Sequence, residues 1–387
     1  MSRWDTPERQ ALRRLAGRLT TDEVAPRIAA WERAGELPRS LHLRFADAGL
    51  LGVGFPEQVG GSGGDCVDAA IVAEELILQG GSGGLVASLM THGIALPHLV
   101  QAGSAELVDR YVRPTLAGRM IGALAVTEPG GGSDVANLRT RAVRDGDSYV
   151  VTGSKTYITS GVRADFVTTA VRTGDDGHGG ISLLVIDKGL PGVGVHGPLP
   201  TLGWHCSDTA ELTFDDVRVP VTHLVGQEGA GFRLILEQFQ TERLALAVQA
   251  VATAQRCLDL VLPWVRDRET FGRPLASRQV VRHKVAGMAR QVWTARAAVR
   301  AAYDAWLDGE DPARRGGGHA VLEVSMAKNA ACLACDAVVD TALQLFGGAG
   351  YVGDSEVERH YRDSRLLRIG GGTDEIMDEV IAQRLGL

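Results

Sequence analysis

Aromatic residues make up only 5% of this 387-residue chain. The core must therefore be filled mainly by alanine, valine and leucine, which favours closely packed helices. Cysteine is sparse as well: Cys66, Cys206, Cys257, Cys332 and Cys335 are an odd set of five and argue against a disulfide framework. No run of 18 consecutive apolar residues occurs, so no membrane span is expected. A basic excess is missing too, with 40 Lys and Arg against 47 Asp and Glu and a net charge of −7. Nucleic acid is therefore not an expected partner. The first residues, MSRWDTPERQ, are charged and lack the apolar stretch of a signal peptide, which makes the cytoplasm the expected location.

What is present is ordinary for a globular protein: 45% hydrophobic and 22% charged residues, in a chain long enough for two or three packed domains. Cys332 and Cys335 form a C-x-x-C, but the surrounding segment reads as one long helix, and a tetrahedral metal site would need a second pair of ligands. The pair is expected to be two small buried side chains, and no metal is expected.

Three regions follow one another. Residues 1–120 read as helical, with Leu12, Leu15 and Leu19 and then Ile71, Ala73, Leu76 and Ile77 at helical spacing. The glycine-rich stretches at 59–65 and 79–85 lack the pattern of a phosphate loop and read as turns. Residues 121–227 change to short β-branched segments separated by turn signals such as Asp145-Gly146, which predicts an antiparallel β-domain, a small barrel or sandwich. Residues 228–387 return to helix. A pattern of some thirty residues carries Phe232, Ile235, Phe239 and Leu246 near one face and is broken by Pro274. Helical patterns over roughly 276–309 and 318–346 come next, and a last helix follows Thr373. The fold class is thus mostly α with a central β-domain.

Five stretches carry chemistry. Val126-Thr127-Glu128-Pro129, followed by three glycines, Ser133 and Asp134, offers close backbone approach and hydroxyls for carbonyl and ring-nitrogen acceptors. Tyr157 and Thr159, two apart on a strand, share a face that suits stacking and hydrogen bonding to a flat heterocycle. Arg268 and Thr270, with Phe271 and Gln279 after them, place a guanidinium and a hydroxyl at a helix end, where a diphosphate can be held. Gln344 to Gly348 is a helix end with a glycine stop. Gly370-Gly371-Gly372-Thr373-Asp374-Glu375 opens the last helix, whose N-terminus favours anions. Each stretch also reads as an ordinary turn, strand or cap; their order and spacing make the joint case.

In that order the stretches resemble the acyl-CoA dehydrogenase family over nearly the full chain, most specifically in T-E-P-x-x-G-S-D and R-x-x-F-G-x-P-L. The resemblance implies an N-terminal helical domain, a barrel-like middle domain and a C-terminal four-helix bundle. It implies FAD as cofactor, with Val126, Thr127, Ser133, Tyr157 and Thr159 at the flavin. It assigns Arg268, Thr270, Phe271, Gln279, Gln344 and Gly348 to the diphosphate and adenosine across a subunit boundary, and Thr373 and Glu375 to late positions near the cofactor. A homo-oligomer, usually a tetramer, and an electron-transferring flavoprotein as redox partner follow from the same resemblance, as does a role in fatty acid metabolism. The substrate is expected to be an acyl-CoA or acyl-carrier-protein thioester.

Many relatives carry the catalytic base in the late loop as Y-E-G-T, where this chain has Gly371. In the isovaleryl and long-chain branches the base lies instead in E-R-L on the helix after the β-domain, and this chain has Glu242-Arg243-Leu244 there. The resemblance therefore implies Glu242 as base, Arg243 at the pantetheine arm, Ser133 touching flavin and substrate, and the Gly371 N–H on the thioester carbonyl. Two further readings stay open on this fold: a flavin monooxygenase or oxidase, and a non-catalytic partner subunit.

Overall fold

The computed structural model describes residues 3–175, 177–310 and 320–387. Residues 318 and 319, the expected start of one helix, lie outside the described residues. The N-terminal region is helical: α1 (Pro7–Leu19), α2 (Arg39–Asp47), α3 (Cys66–Leu78) and α4 (Gly83–Leu89) are its main elements. Thr6 caps α1 by accepting from the Arg9 N–H, and Asp65 and Asp68 form a reciprocal capping box at the start of α3. The glycine stretch at 79–85 is not a turn throughout. Ser82 caps α4, which starts at Gly83. Glycine is required there by contact: a Cβ on Gly84 would lie 2.8 Å from the Trp204 Cα.

Residues 122–220 form a seven-stranded sheet: β1 (Gly122–Ala125), β2 (Arg141–Asp145), β3 (Ser148–Thr159), β4 (Phe166–Arg172), β5 (Ile181–Asp187), β6 (Val193–His196) and β7 (Thr209–Pro220). The expectation of an antiparallel domain needs correcting. β1 pairs with β4 in parallel, and β2 meets β4 in parallel at Arg141 and Arg172, while the other pairings are antiparallel. The reason is burial. Val167, Val171, Leu184 and Ile186 face the core of the sheet domain, and Phe166, Ala170, Ile181, Leu183 and Val185 face helices on the other side. Strands covered on both faces read as continuous apolar runs, and such strands accept parallel neighbours.

The C-terminal region holds α5 (Gly231–Asp267), α6 (Gln279–Glu310), α7 (Val321–Phe346), α8 (Glu356–Ser364) and α9 (Asp374–Arg384). α5 continues through Pro263 and ends before the Glu269–Thr270 and Arg273–Pro274 hairpin, so the break comes ahead of Pro274. Among the described residues, α5 and α7 are each long and apolar enough to cross a membrane by length and composition, although neither holds an unbroken run of 18 apolar residues. Their apolar stretches are 72% and 39% buried inside the protein. Helices that are apolar nearly all round belong at the centre of a bundle, and Ala247, Val251, Ala254, Ala331, Val338 and Ala342 of these two pack into one core. Cys332 and Cys335 are buried in that core as free thiols.

α5 also positions the site. Its first turns place Leu234 and Ile235 against Leu99, Tyr111 and Phe166, and its later turns enter the bundle from Leu244 onward. Glu242 therefore sits where one helix passes from the sheet-facing core to the bundle core.

Candidate active site

Glu242 is half-buried. That removal from water pushes its carboxyl up to about 7, against the opposing pull of the Arg243 and Lys328 cations. The late loop lies beside it. Gly371 has φ +64° and Gly372 has φ +101°, conformations that need glycine. A side chain at 371 would begin 3.7 Å from Glu242 Oε1 and 2.8 Å from Leu246 Cδ1. The carboxylate of α5 thus reaches the place that a side chain from the late loop would occupy.

Two buried cations hold this loop. Arg243 Nε donates to the Gly371 carbonyl at 2.9 Å, and Lys328 Nζ donates to the Gly372 carbonyl at 2.7 Å. Arg243 is buried, with its guanidinium over the Phe239 ring. Thr373 caps α9 by accepting from the Ile376 N–H, and Glu375 is exposed in the first turn of that helix. Among the described residues the Gly371 N–H meets no protein acceptor.

The sheet-side residues gather at the end of β1 and the bulged end of β3. The Thr156 N–H donates to the Thr127 carbonyl at 3.0 Å, which brings the Val126–Ser133 loop against Tyr157 and Thr159. A register shift between Lys155 and Ile158 turns Tyr157 outward at φ 60°, with its side chain 70% exposed. A non-glycine residue there stores about 1–2 kcal/mol of strain. The hydroxyls of Thr127, Ser133 and Thr159 have no protein partner among the described residues. Unspent hydroxyls beside an exposed ring fit a flat heterocycle rich in carbonyl and ring-nitrogen acceptors. This group is tied to α5 through short links: Ser160 Oγ lies 2.7 Å from Thr91 Oγ1, and Gln238, one turn before Glu242, donates to the Gly93 carbonyl at 3.3 Å.

Sequence reasoning missed the residues that pin these loops. Lys155 is fully buried; its Nζ donates to the Val126 carbonyl at 3.0 Å and to Glu128 Oε1 at 2.8 Å. Glu128 also accepts from the N–H groups of Arg139 and Thr140. Burial works to raise the Glu128 carboxyl, but Lys155 and those donors outweigh it and hold the group below its usual range. Burial pulls the Lys155 ammonium down to about 8 against the attraction of Glu128, so the pair is ionised near neutrality. A lysine inside a β-branched strand, and Lys328 inside the Ala- and Val-rich α7, were the available signals.

The third group stands apart. Arg268, Thr270, Phe271 and Gln279 lie at the far end of α5 and the start of α6, and Gln344 and Gly348 at the matching end of α7. Trp264 joins them, stacking on Phe346 at 4.6 Å and donating to the Leu345 carbonyl. Phe271 is 98% exposed at φ 53°, and Arg268, Gln279, Gln344 and Gly348 are exposed. At 1.5 Å per helical residue, Arg268 lies about 39 Å along α5 from Glu242.

The chain matches the acyl-CoA dehydrogenase N-terminal domain over residues 6–119, the middle domain over 123–217 and the C-terminal domain over 229–386. It is 36% identical to the long-chain specific acyl-CoA dehydrogenase of Sus scrofa mitochondria, over 94% of this chain and 83% of that one. A crystal structure of a probable acyl-CoA dehydrogenase from Mycobacterium abscessus is 63% identical, with a TM-score of 0.96 and coverage of 99% of this chain and 100% of that one. The FAD complex of PigA superposes with a TM-score of 0.93 at 27% identity, covering both chains fully (100% each). Fold, motif order and these likenesses agree: the chain belongs to the acyl-CoA dehydrogenase family and is a FAD-dependent enzyme of that class.

Proposed function

We propose that this enzyme desaturates an acyl thioester between Cα and Cβ, with Glu242 as the base. The observation that carries the reading is the meeting of the Glu242 carboxylate with the side-chain position of Gly371, 3.7 Å apart. One acidic group at that point suffices. A second would face the first across a few ångströms of poorly solvated space, where two carboxylates do not ionise together. Glu242, pushed up to about 7, is poised to accept a proton near neutral pH.

The Gly371 N–H is the proposed donor to the thioester carbonyl, where it would stabilise the charge that develops as the α-proton leaves. Arg243 spends its Nε on the loop, and its remaining N–H groups are the proposed contacts for the pantetheine arm. The hydroxyls of Thr127, Ser133 and Thr159 and the ring of Tyr157 would hold the flavin. Bound FAD supplies the acceptor for the β-hydride at flavin N5, and an electron-transferring flavoprotein is the proposed oxidant that restores it.

The separation of about 39 Å along α5 supports a two-protomer cofactor site, because one dinucleotide does not span it. Arg268, Thr270, Phe271, Gln279, Gln344 and Gly348 would then serve the flavin of a partner copy in a homo-oligomer. Gly370 to Gly372 add no side chains of their own beside Glu242, but Leu246 and Met377 already fill the Cβ positions at 371 and 372 at 2.8 and 2.7 Å; the acyl group is proposed to be carried on CoA or a carrier protein. Anaerobic bleaching of the bound flavin across a panel of short, long and branched acyl-CoAs tests the reading. Bleaching by at least one of them is expected, with slow reoxidation of the bleached flavin by oxygen; absence of bleaching by every acyl-CoA would contradict the reading, and rapid reoxidation by oxygen would favour oxidase chemistry.

A further inference from the structure

The late loop has no regular structure of its own, yet it must place the Gly371 N–H to within a fraction of an ångström if it is to meet a thioester carbonyl. Two consecutive glycines with positive φ give the loop freedom rather than rigidity. The order is supplied from outside. Lys328 is fully buried, projects from α7 and donates to the Gly372 carbonyl at 2.7 Å. Its neighbour Asn329 donates to the Asp374 carbonyl at 3.1 Å and to Asp378 Oδ1 at 2.9 Å, which fixes α9 to the same turn of α7. Arg243 takes the Gly371 carbonyl from the opposite side. Since a trans peptide is planar, these two bonds fix the 371–372 and 372–373 planes, and with them the Cα of Gly371, from which its own N–H in the preceding plane is a single φ rotation away. Two cations from two helices thus immobilise two successive peptide planes.

We infer that Lys328 is a positioning residue for the dehydrogenation, holding the loop through the Gly372 carbonyl so that the Gly371 N–H stands opposite Glu242. The inference rests on the proposed function and deepens it. A buried ammonium is costly to desolvate, and a carbonyl could be satisfied by a neutral donor. A lysine here also places a positive charge near the base. The charged and titratable groups around it are Glu242 and Arg243 from α5, Cys332 from α7 itself, Arg368 from the turn before the loop, and Asp374 from α9. Arg368 is itself paired with Asp336 and Asp374, so the field it adds is largely spent.

The test compares the FAD-loaded wild type with Lys328→Met, Lys328→Gln, Lys328→Arg and Glu242→Gln. Lys328→Met is expected to retain FAD and to slow flavin bleaching by an acyl-CoA about 10²-fold, the size seen when a reacting group is misplaced by about an ångström. Lys328→Arg, which keeps cation and donor, is expected to recover most of that rate. A role in stability alone would not move two further readouts. The rising limb of rate against pH should shift upward in Lys328→Met, because a cation near Glu242 is gone. Affinity for a 2-enoyl-CoA should fall while affinity for the matching thioether, which has no carbonyl, should hold.

A folded Lys328→Met with wild-type rate, limb and thioester affinity would overturn the inference. So would failure of both neutral variants, Met and Gln, to yield folded FAD protein, since that assigns Lys328 to folding. Glu242→Gln separates the two readings. If it alone bleaches at the wild-type rate, the base assignment fails. If it is inactive while Lys328→Met is normal, only the positioning role fails.

Discussion

Replacing Lys155 with methionine should loosen the loop that carries Val126, Thr127 and Ser133. Methionine matches the length of the lysine stem but removes two hydrogen bonds, to the Val126 carbonyl at 3.0 Å and to Glu128 Oε1 at 2.8 Å. The Lys155 side chain is 0% exposed and that of Glu128 10%, so the carboxylate left behind cannot find bulk water. Breaking one side of a buried ion pair costs about 3–5 kcal/mol. Glu128 keeps the N–H donors of Arg139 at 2.6 Å and Thr140 at 2.8 Å. That retained solvation puts the expected cost near the lower bound, about 3 kcal/mol. If the cost falls on the loop and not on the whole domain, it weakens FAD retention by about 10²-fold. The assay is release of flavin fluorescence on dilution, with thermal unfolding of the apo and FAD-loaded forms beside it. Wild-type FAD affinity and an unchanged melting temperature would refute the claim that this pair organises the loop.

Gly371→Ala should lower the rate of flavin reduction with little loss of FAD, because a Cβ there meets Leu246 Cδ1 at 2.8 Å and φ +64° costs an alanine about 1 kcal/mol; stopped-flow reduction reads it. Glu356→Gln should destabilise the protein by about 2–4 kcal/mol, since Arg256 grips that carboxylate at 2.6 and 3.1 Å and thereby joins α5 to α8. Burial opposes ionisation of Glu356, but His360 and Arg256 hold it well below the usual carboxylate range. Its contribution is therefore present above the ordinary glutamate value and lost as pH falls through the lower folded value, which acid unfolding of wild type against variant will show. The rate of anaerobic reduction should rise with pH through a limb near 7, as Glu242 loses its proton; a rate flat from pH 5 to pH 9 contradicts this.

Much of the fold was legible because its signals are local. The change from helical spacing to β-branched runs near residue 121 and back near 228 marks where side-chain period changes from 3.6 to 2; in the structure the first strand begins at Gly122 and α5 at Gly231. Thr373 could be read as the start of the last helix because a cap is written in a few residues. The parallel pairing of β1 with β4 could not be read, since some forty residues separate the partners and their apolar runs do not specify direction. Glu242 stood out once Gly371 was seen to lack a side chain. Lys155 and Lys328 did not, because what makes them important is the carbonyl each one meets across a long sequence separation. The start of α4 within a glycine stretch escaped for a similar reason: Gly83 and Gly84 are set by the approach of Trp204 from another domain.

The most direct test of the account is anaerobic reduction of the FAD-loaded Glu242→Gln protein by a substrate acyl-CoA. Glutamine keeps the size and hydrogen-bonding capacity of the side chain and removes only the base. The account predicts a folded flavoprotein that binds the acyl-CoA and does not bleach on the timescale of the wild type. Bleaching at the wild-type rate would contradict it.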